Sequence, residues 1–143
     1  MPRLPRLDAL RVLVVDDDAD GRTLTSMVLT QAGATVEAAG SAKEALEILY
    51  EKRPDALVTD IRLPDENGYG LIRQVRQHDA EHGGFTPAVA LTGYARSEDR
   101  EQALAAGFQA HVLKPVDPVE LAAAVAASVQ SLKAGPRKPK SAR

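Results

Sequence analysis

Five short apolar runs alternate with stretches of helical spacing along this chain, and few folds accept that order. Residues 11–15 are almost continuously apolar, as in a strand buried on both faces. Leu24, Met27 and Val28 follow at helical spacing with Gln31 on the same stripe, and Gly33 is placed to end that helix. Residues 35–39 read as a weaker strand. Ser41-Ala42-Lys43-Glu44 is a capping box that opens a helix carrying Ala45, Ile48 and Leu49, which Arg53-Pro54 stops. Residues 56–59 form the third apolar run, 63–68 a turn-forming loop, and Leu71, Ile72 and Val75 the stripe of a third helix. The longest connection is expected over residues 78–86, where Gly83 and Gly84 lie. A fourth strand over 88–92 precedes a polar, alanine-rich helix over 97–106, with Gly107 as its cap. A fifth strand covers 110–113. Asp117-Pro118-Val119-Glu120 then starts a last helix with an apolar stripe of Leu121, Val125, Val129 and Leu132.

Strict alternation implies an α/β protein with a parallel sheet covered on both faces. Right-handed crossovers leave few topologies, and five strands are too few for an eight-stranded barrel. The expected architecture is a doubly wound five-stranded sheet in the order 2-1-3-4-5 with five helices. Ligands of such sheets bind beyond the carboxyl ends of the strands, where strands one and three adjoin.

Polar residues sit where those ends would lie. Asp16, Asp17 and Asp18 follow the first strand, Asp60 the third, Thr92 the fourth and Lys114 the fifth. The second strand, at the sheet edge, contributes none. Either Asp18 or Asp20 is expected to cap the first helix. Clustered carboxylates repel and are costly to keep ionised, and a divalent cation relieves this. Magnesium fits best, because it takes oxygen ligands, needs only one or two carboxylates directly and keeps several waters. The chain has no cysteine, and His78, His82 and His111 are expected to lack the paired spacing of a zinc or copper site.

Val-Val-Asp-Asp-Asp at 14–18, Thr-Asp-Ile-Arg-Leu-Pro-Asp-Glu-Asn-Gly at 59–68, Leu-Thr-Gly-Tyr at 91–94 and Leu-Lys-Pro-Val at 113–116 together resemble a response-regulator receiver domain of two-component signalling. The likeness is to chemotaxis-regulator-like, flavodoxin-like chains and spans about residues 10–132. It implies that Asp60 accepts a phosphoryl group from a histidine kinase or phosphotransfer protein. It implies Mg2+ held by Asp17, by Asp16 through water, by Asp60, and by the backbone carbonyl at Arg62. Thr92 matches the hydroxyl that turns toward the phosphoryl group, and Lys114 the ammonium that pairs with it. The position that is usually Tyr or Phe in the fifth strand is His111 here, so an aromatic switch coupled to Thr92 is replaced by an imidazole. A phosphatase with an aspartyl nucleophile is disfavoured, since it needs a second aspartate two residues on, where this chain has Arg62.

The net charge of −2 hides an asymmetry. Seven of the 18 basic residues lie in residues 1–7 and 133–143, which hold no acid; the body keeps 11 basic against 20 acidic residues, a balance of −9. An acidic body argues against nucleic-acid partners. Residues 133–143 are expected to be a disordered basic tail and residues 1–9 an N-terminal extension. No apolar run approaches the roughly 20 residues that cross a bilayer, and the start lacks the apolar stretch of a signal peptide, so no membrane partner and a cytoplasmic location are expected. The downstream protein partner is not identified by these residues.

Overall fold

The computed structural model describes residues 4–93 and 97–133, with side chains over 97–133 described for 101–130. Five strands, β1 (Arg11–Val15), β2 (Thr35–Ala39), β3 (Ala56–Asp60), β4 (Ala88–Thr92) and β5 (Ala110–Leu113), alternate with five helices. The helices are α1 (Ala19–Gln31), α2 (Ala42–Lys52), α3 (Gly68–His82), α4 (Ser97–Ala106) and α5 (Pro118–Lys133). All pairings are parallel and the order is β2-β1-β3-β4-β5, as the alternation requires.

Period-two alternation sorts the strand side chains between two cores. Val12 and Val14 of β1 and Val58 of β3 pack with Val28 and Leu29 of α1 and Leu121 and Val125 of α5. Leu13, Val15 and Leu57 face the other way, against Leu49 of α2, Leu71, Ile72 and Val75 of α3, and Ala103 of α4. Every residue of β3 and β4 is buried, as expected of central strands covered on both faces.

The helix ends follow local chemistry. Asp18 caps α1 by accepting from the Gly21 N–H, and Ser41 caps α2 by accepting from Glu44. Glu44 returns a bond to the Gly40 N–H at 2.8 Å, one residue earlier than a strict capping box. Arg53 ends α2 in the left-handed region at φ 49°. Asn67 caps α3, and Gly83 ends it at φ 78°, a conformation that glycine takes without steric cost. Asp117 Oδ1 accepts from the Val119 N–H at 3.3 Å at the start of α5.

Two expectations are corrected. On α1 only Val28 of the expected stripe is buried, together with Thr25 and Leu29, whereas Leu24 and Met27 are 52% and 54% exposed. The packed face is rotated by one residue, about 100° of helix, so that Thr25 and Leu29 flank Val28. The second correction concerns residues 78–82, which continue α3 and are no part of a connection. Arg76 fixes that end: its guanidinium donates to Asp79, Thr86 O and Gly107 O, and Asp79 in turn accepts from the Thr86 N–H and hydroxyl.

Part of residues 1–9 packs on the domain. Leu7 is buried in the core, and its N–H donates to Ala32 O at 2.8 Å. Residues 134–143 of the basic tail, and the Leu132 side chain, lie outside the described residues.

The rotated α1 face gives a direct test. Leu29→Ala should cost about 2–5 kcal/mol of stability, as for other buried leucines. Leu24→Ala should change it by less than about 0.5 kcal/mol. Urea denaturation of the two variants measures both.

Candidate functional site

Register brings the site residues together. Val15 pairs with Thr59, so Asp16 and Asp60, each one residue further on, leave adjacent strands at the same level. Thr92 pairs with Leu113, and the Lys114 N–H donates to Thr92 O at 2.8 Å. Asp60, Ile61, Arg62, Thr92, Gly93 and Lys114 line a cleft of about 380 Å³ at this carboxyl edge.

Within it, Lys114 Nζ donates to Asp60 Oδ2 at 2.5 Å and lies 3.7 Å from Asp16 Oδ2. The other Asp60 oxygen, Oδ1, accepts from the Arg62 N–H at 3.1 Å. Asp16 Oδ1 accepts from the Asp18 N–H at 3.0 Å. Asp16 is 1% exposed, Asp60 and Thr92 are buried, and Asp17 is exposed. Burial pushes the Asp16 carboxyl above its ordinary value; the Asp18 N–H and the Lys114 charge oppose this, while the charges of Asp60 and Asp17 add to it. Burial lowers the Lys114 ammonium, but its bond to Asp60 and the charges of Asp60 and Asp16 outweigh that and leave it raised.

The donor set fits a hard divalent cation. One oxygen each from Asp16, Asp17 and Asp60 lie within 4.8 Å of one another. Asp16 Oδ2 is buried and has no hydrogen-bond partner among the described residues. Gly21 keeps the space beside it open, since a Cβ there would stand 2.6 Å from that oxygen. Oxygen ligands of this kind suit magnesium, with water filling the remaining positions.

Of the strand-end residues, Asp60, Thr92 and Lys114 line the cleft with Arg62, Asp16 and Asp17 lie beside Asp60, and Asp18 caps α1. His111 lies on β5, two strands from β3, paired with Ala90 of β4, and its Nε2 is buried without a hydrogen-bond partner among the described residues.

Three supporting residues escaped sequence reasoning. Asp65, in the loop after β3, accepts from the Ala42 and Lys43 N–H groups at 3.0 Å each. Those bonds hold its exposed carboxyl below the ordinary value and fasten the loop that carries Arg62 to the start of α2. Arg22 Nη1 donates to Asp16 O at 2.8 Å. Gly68 lets α3 begin against β3, where a Cβ would stand 2.9 Å from Asp60 O. The Asp65 contacts span more than 20 residues of sequence, so no local pattern announces them.

Residues 12–126 match the family model described as the response regulator receiver domain. The chain is 46% identical, over 85% of its length and 88% of the other, to a 14.6 kDa protein of Leptolyngbya boryana. It is 37% identical to the transcriptional regulatory protein TrcR of Mycobacterium tuberculosis, covering 86% of this chain and 47% of that one. Among solved structures, a response regulator receiver domain protein from Methanospirillum hungatei superposes with a TM-score of 0.76 at 29% identity, over 93% of this chain and 100% of the other. The chemotaxis response regulator CheY4 of Vibrio cholerae gives 0.74 at 30% identity, over 84% and 98%. The chain belongs to the response-regulator receiver family. It functions as a receiver domain of two-component signalling, and it spans about half the length of TrcR. No helix among the described residues is long and apolar enough to cross a membrane.

The raised Asp16 carboxyl makes a prediction for metal-free protein. The folded state binds this proton more tightly than the unfolded chain does. Stability from this group therefore falls as pH rises from the ordinary aspartate value of 3.8 to the raised one, and stays lost above it. In buffer with chelator, Asp16→Asn should melt several degrees above wild type near neutral pH. The gap should close as pH falls toward the ordinary aspartate value. Thermal melts across that range check it.

Proposed function

We propose that Asp60 is the phosphoacceptor of this receiver, taking a phosphoryl group from the phosphohistidine of a histidine kinase or phosphotransfer protein. The observation that carries this is the Asp60 carboxylate, held at a strand end between the Lys114 ammonium at 2.5 Å and the carboxylates of Asp16 and Asp17. An oxygen of Asp60 attacks phosphorus in line, the phosphorus–nitrogen bond breaks, and the donor imidazole leaves with a proton. Lys114 stays beside the acyl phosphate and offsets charge on its oxygens. Asp16, Asp17, Asp60 and the Arg62 carbonyl would hold Mg2+, which when bound supplies further positive charge at the phosphoryl oxygens. On this reading the chain promotes its own phosphorylation and turns over no free substrate.

Thr92, buried at the end of β4, is the hydroxyl that senses the added group. Its inward movement opens space toward His111 on the neighbouring strand, and the face formed by α4, β5 and α5 presents the change to a downstream protein. Such a change is a population shift, and it requires the phosphorylated site to prefer one arrangement of that face.

Wild-type protein incubated with Mg2+ and a small phosphodonor such as acetyl phosphate should gain one phosphoryl group, seen by intact-mass spectrometry. Asp60→Asn should gain none, and omission of Mg2+ should abolish labelling of the wild type. Equal labelling of the two proteins would remove Asp60 from this role.

A further inference from the structure

The continuation of α3 to His82 places two imidazoles on one helix face. His78 and His82 are four residues apart, the helical spacing at which two histidines share one metal ion. Their rings stack with centroids 4.0 Å apart and planes 21° from parallel. On its other side His78 stacks on Tyr50 of α2, with centroids 4.4 Å apart. His82 Nδ1 lies 2.9 Å from His78 O. A carbonyl only accepts, so Nδ1 carries the proton, and in the neutral ring Nε2 keeps its lone pair. A histidine whose other ring nitrogen donates to a backbone carbonyl is oriented as metal-binding histidines commonly are.

We propose that His78 and His82 form a two-imidazole site for a divalent transition ion of the zinc, copper or nickel class. Imidazole suits these ions, whereas the carboxylate cluster around Asp60 suits magnesium. Zinc–nitrogen bonds of about 2.0–2.1 Å place two ligand nitrogens about 3.3 Å apart at a tetrahedral ion. In the stack the in-plane lone pairs run nearly side by side, so binding turns one ring out of the stack until both nitrogens face one ion. The helix spacing keeps both rings on one face, and the Nδ1 bond orients the His82 ring. Among the described residues, Asp16, Asp17 and Asp60 form the only cluster of three or more candidate ligands, so no third protein group joins this pair. Asp79, between the two histidines in sequence, is committed to Arg76 and Thr86. Water completes the coordination, which makes the ion exchangeable. The site lies at the far end of α3 from Gly68, which abuts Asp60, so the 15 residues of the helix separate the two sites by roughly 20 Å. An ion at one site need not displace an ion at the other.

The test is a Zn2+ titration of the untagged full chain with Mg2+ in large excess to occupy the acidic cluster, followed through the imidazole nitrogen and carbon resonances. The expected result is saturable shifts of His78 and His82 with His111 unmoved. Zn2+ affinity should fall at least about tenfold in His82→Gln and in His78→Gln alike, since each leaves a single ligand. His82 is exposed, so its replacement leaves the core intact. Stationary His78 and His82 signals would overturn the proposal. So would undiminished Zn2+ affinity in the double variant His78→Gln/His82→Gln.

Discussion

Parallel register is the constraint on which the rest of this molecule depends. It brings the carboxyl ends of β1, β3, β4 and β5 to one edge, and the residues just beyond the apolar runs must share that edge. Asp16 and Asp60 are brought level by the pairing of Val15 with Thr59, and Lys114 reaches them from two strands away. A shift of one residue in the β1–β3 register would turn one strand's side chains to the opposite core and separate the two carboxylates. The two apolar cores that fix the register are thus also what holds the charged cluster together. Asp65 adds a second restraint by fastening the loop after β3 to α2.

The strands were legible in the sequence because central strands buried on both faces are written as short continuous apolar runs, and the start of each site residue is the end of such a run. The helix ends were legible where a cap residue announced them, as at Asp18, Gly33, Ser41 and Gly107. Two things were not. On α1, Leu24 and Met27 compete with Thr25 and Leu29 for the inward face, and hydrophobicity alone favours the wrong pair; the small Thr25 is buried at the sheet while the larger side chains remain outside. At the end of α3, residues 77–82 carry one alanine and otherwise only polar side chains, so the apolar period that marks a helix fades before the helix does. The Arg76 and Asp79 bonds that keep this turn helical are tertiary. The same error hid the His78 and His82 pair, since histidines in a loop have no common face.

The two candidate ion sites differ in kind. One is an oxygen-only cluster at a strand edge, where burial raises Asp16, and where the burial of Lys114 is outweighed by its bond to Asp60 and the charges of Asp60 and Asp16. The other is a nitrogen pair on a helix surface, with His78 half-buried, His82 exposed, and Arg53 and Asp79 lining the same hollow. Hard and borderline cations are sorted between them by ligand chemistry alone.

A crystal structure of the chain grown with Mg2+ and beryllofluoride decides whether Asp60 is the acceptor, because beryllofluoride mimics a phosphoryl group on a carboxylate. The expected adduct lies on an Asp60 oxygen, with Mg2+ held by Asp16, Asp17, Asp60 and the Arg62 carbonyl, and with Lys114 Nζ and the Thr92 hydroxyl in contact with fluorine. Beryllofluoride on a different carboxylate, or an Asp60 adduct with Lys114 and Thr92 turned away, would contradict it.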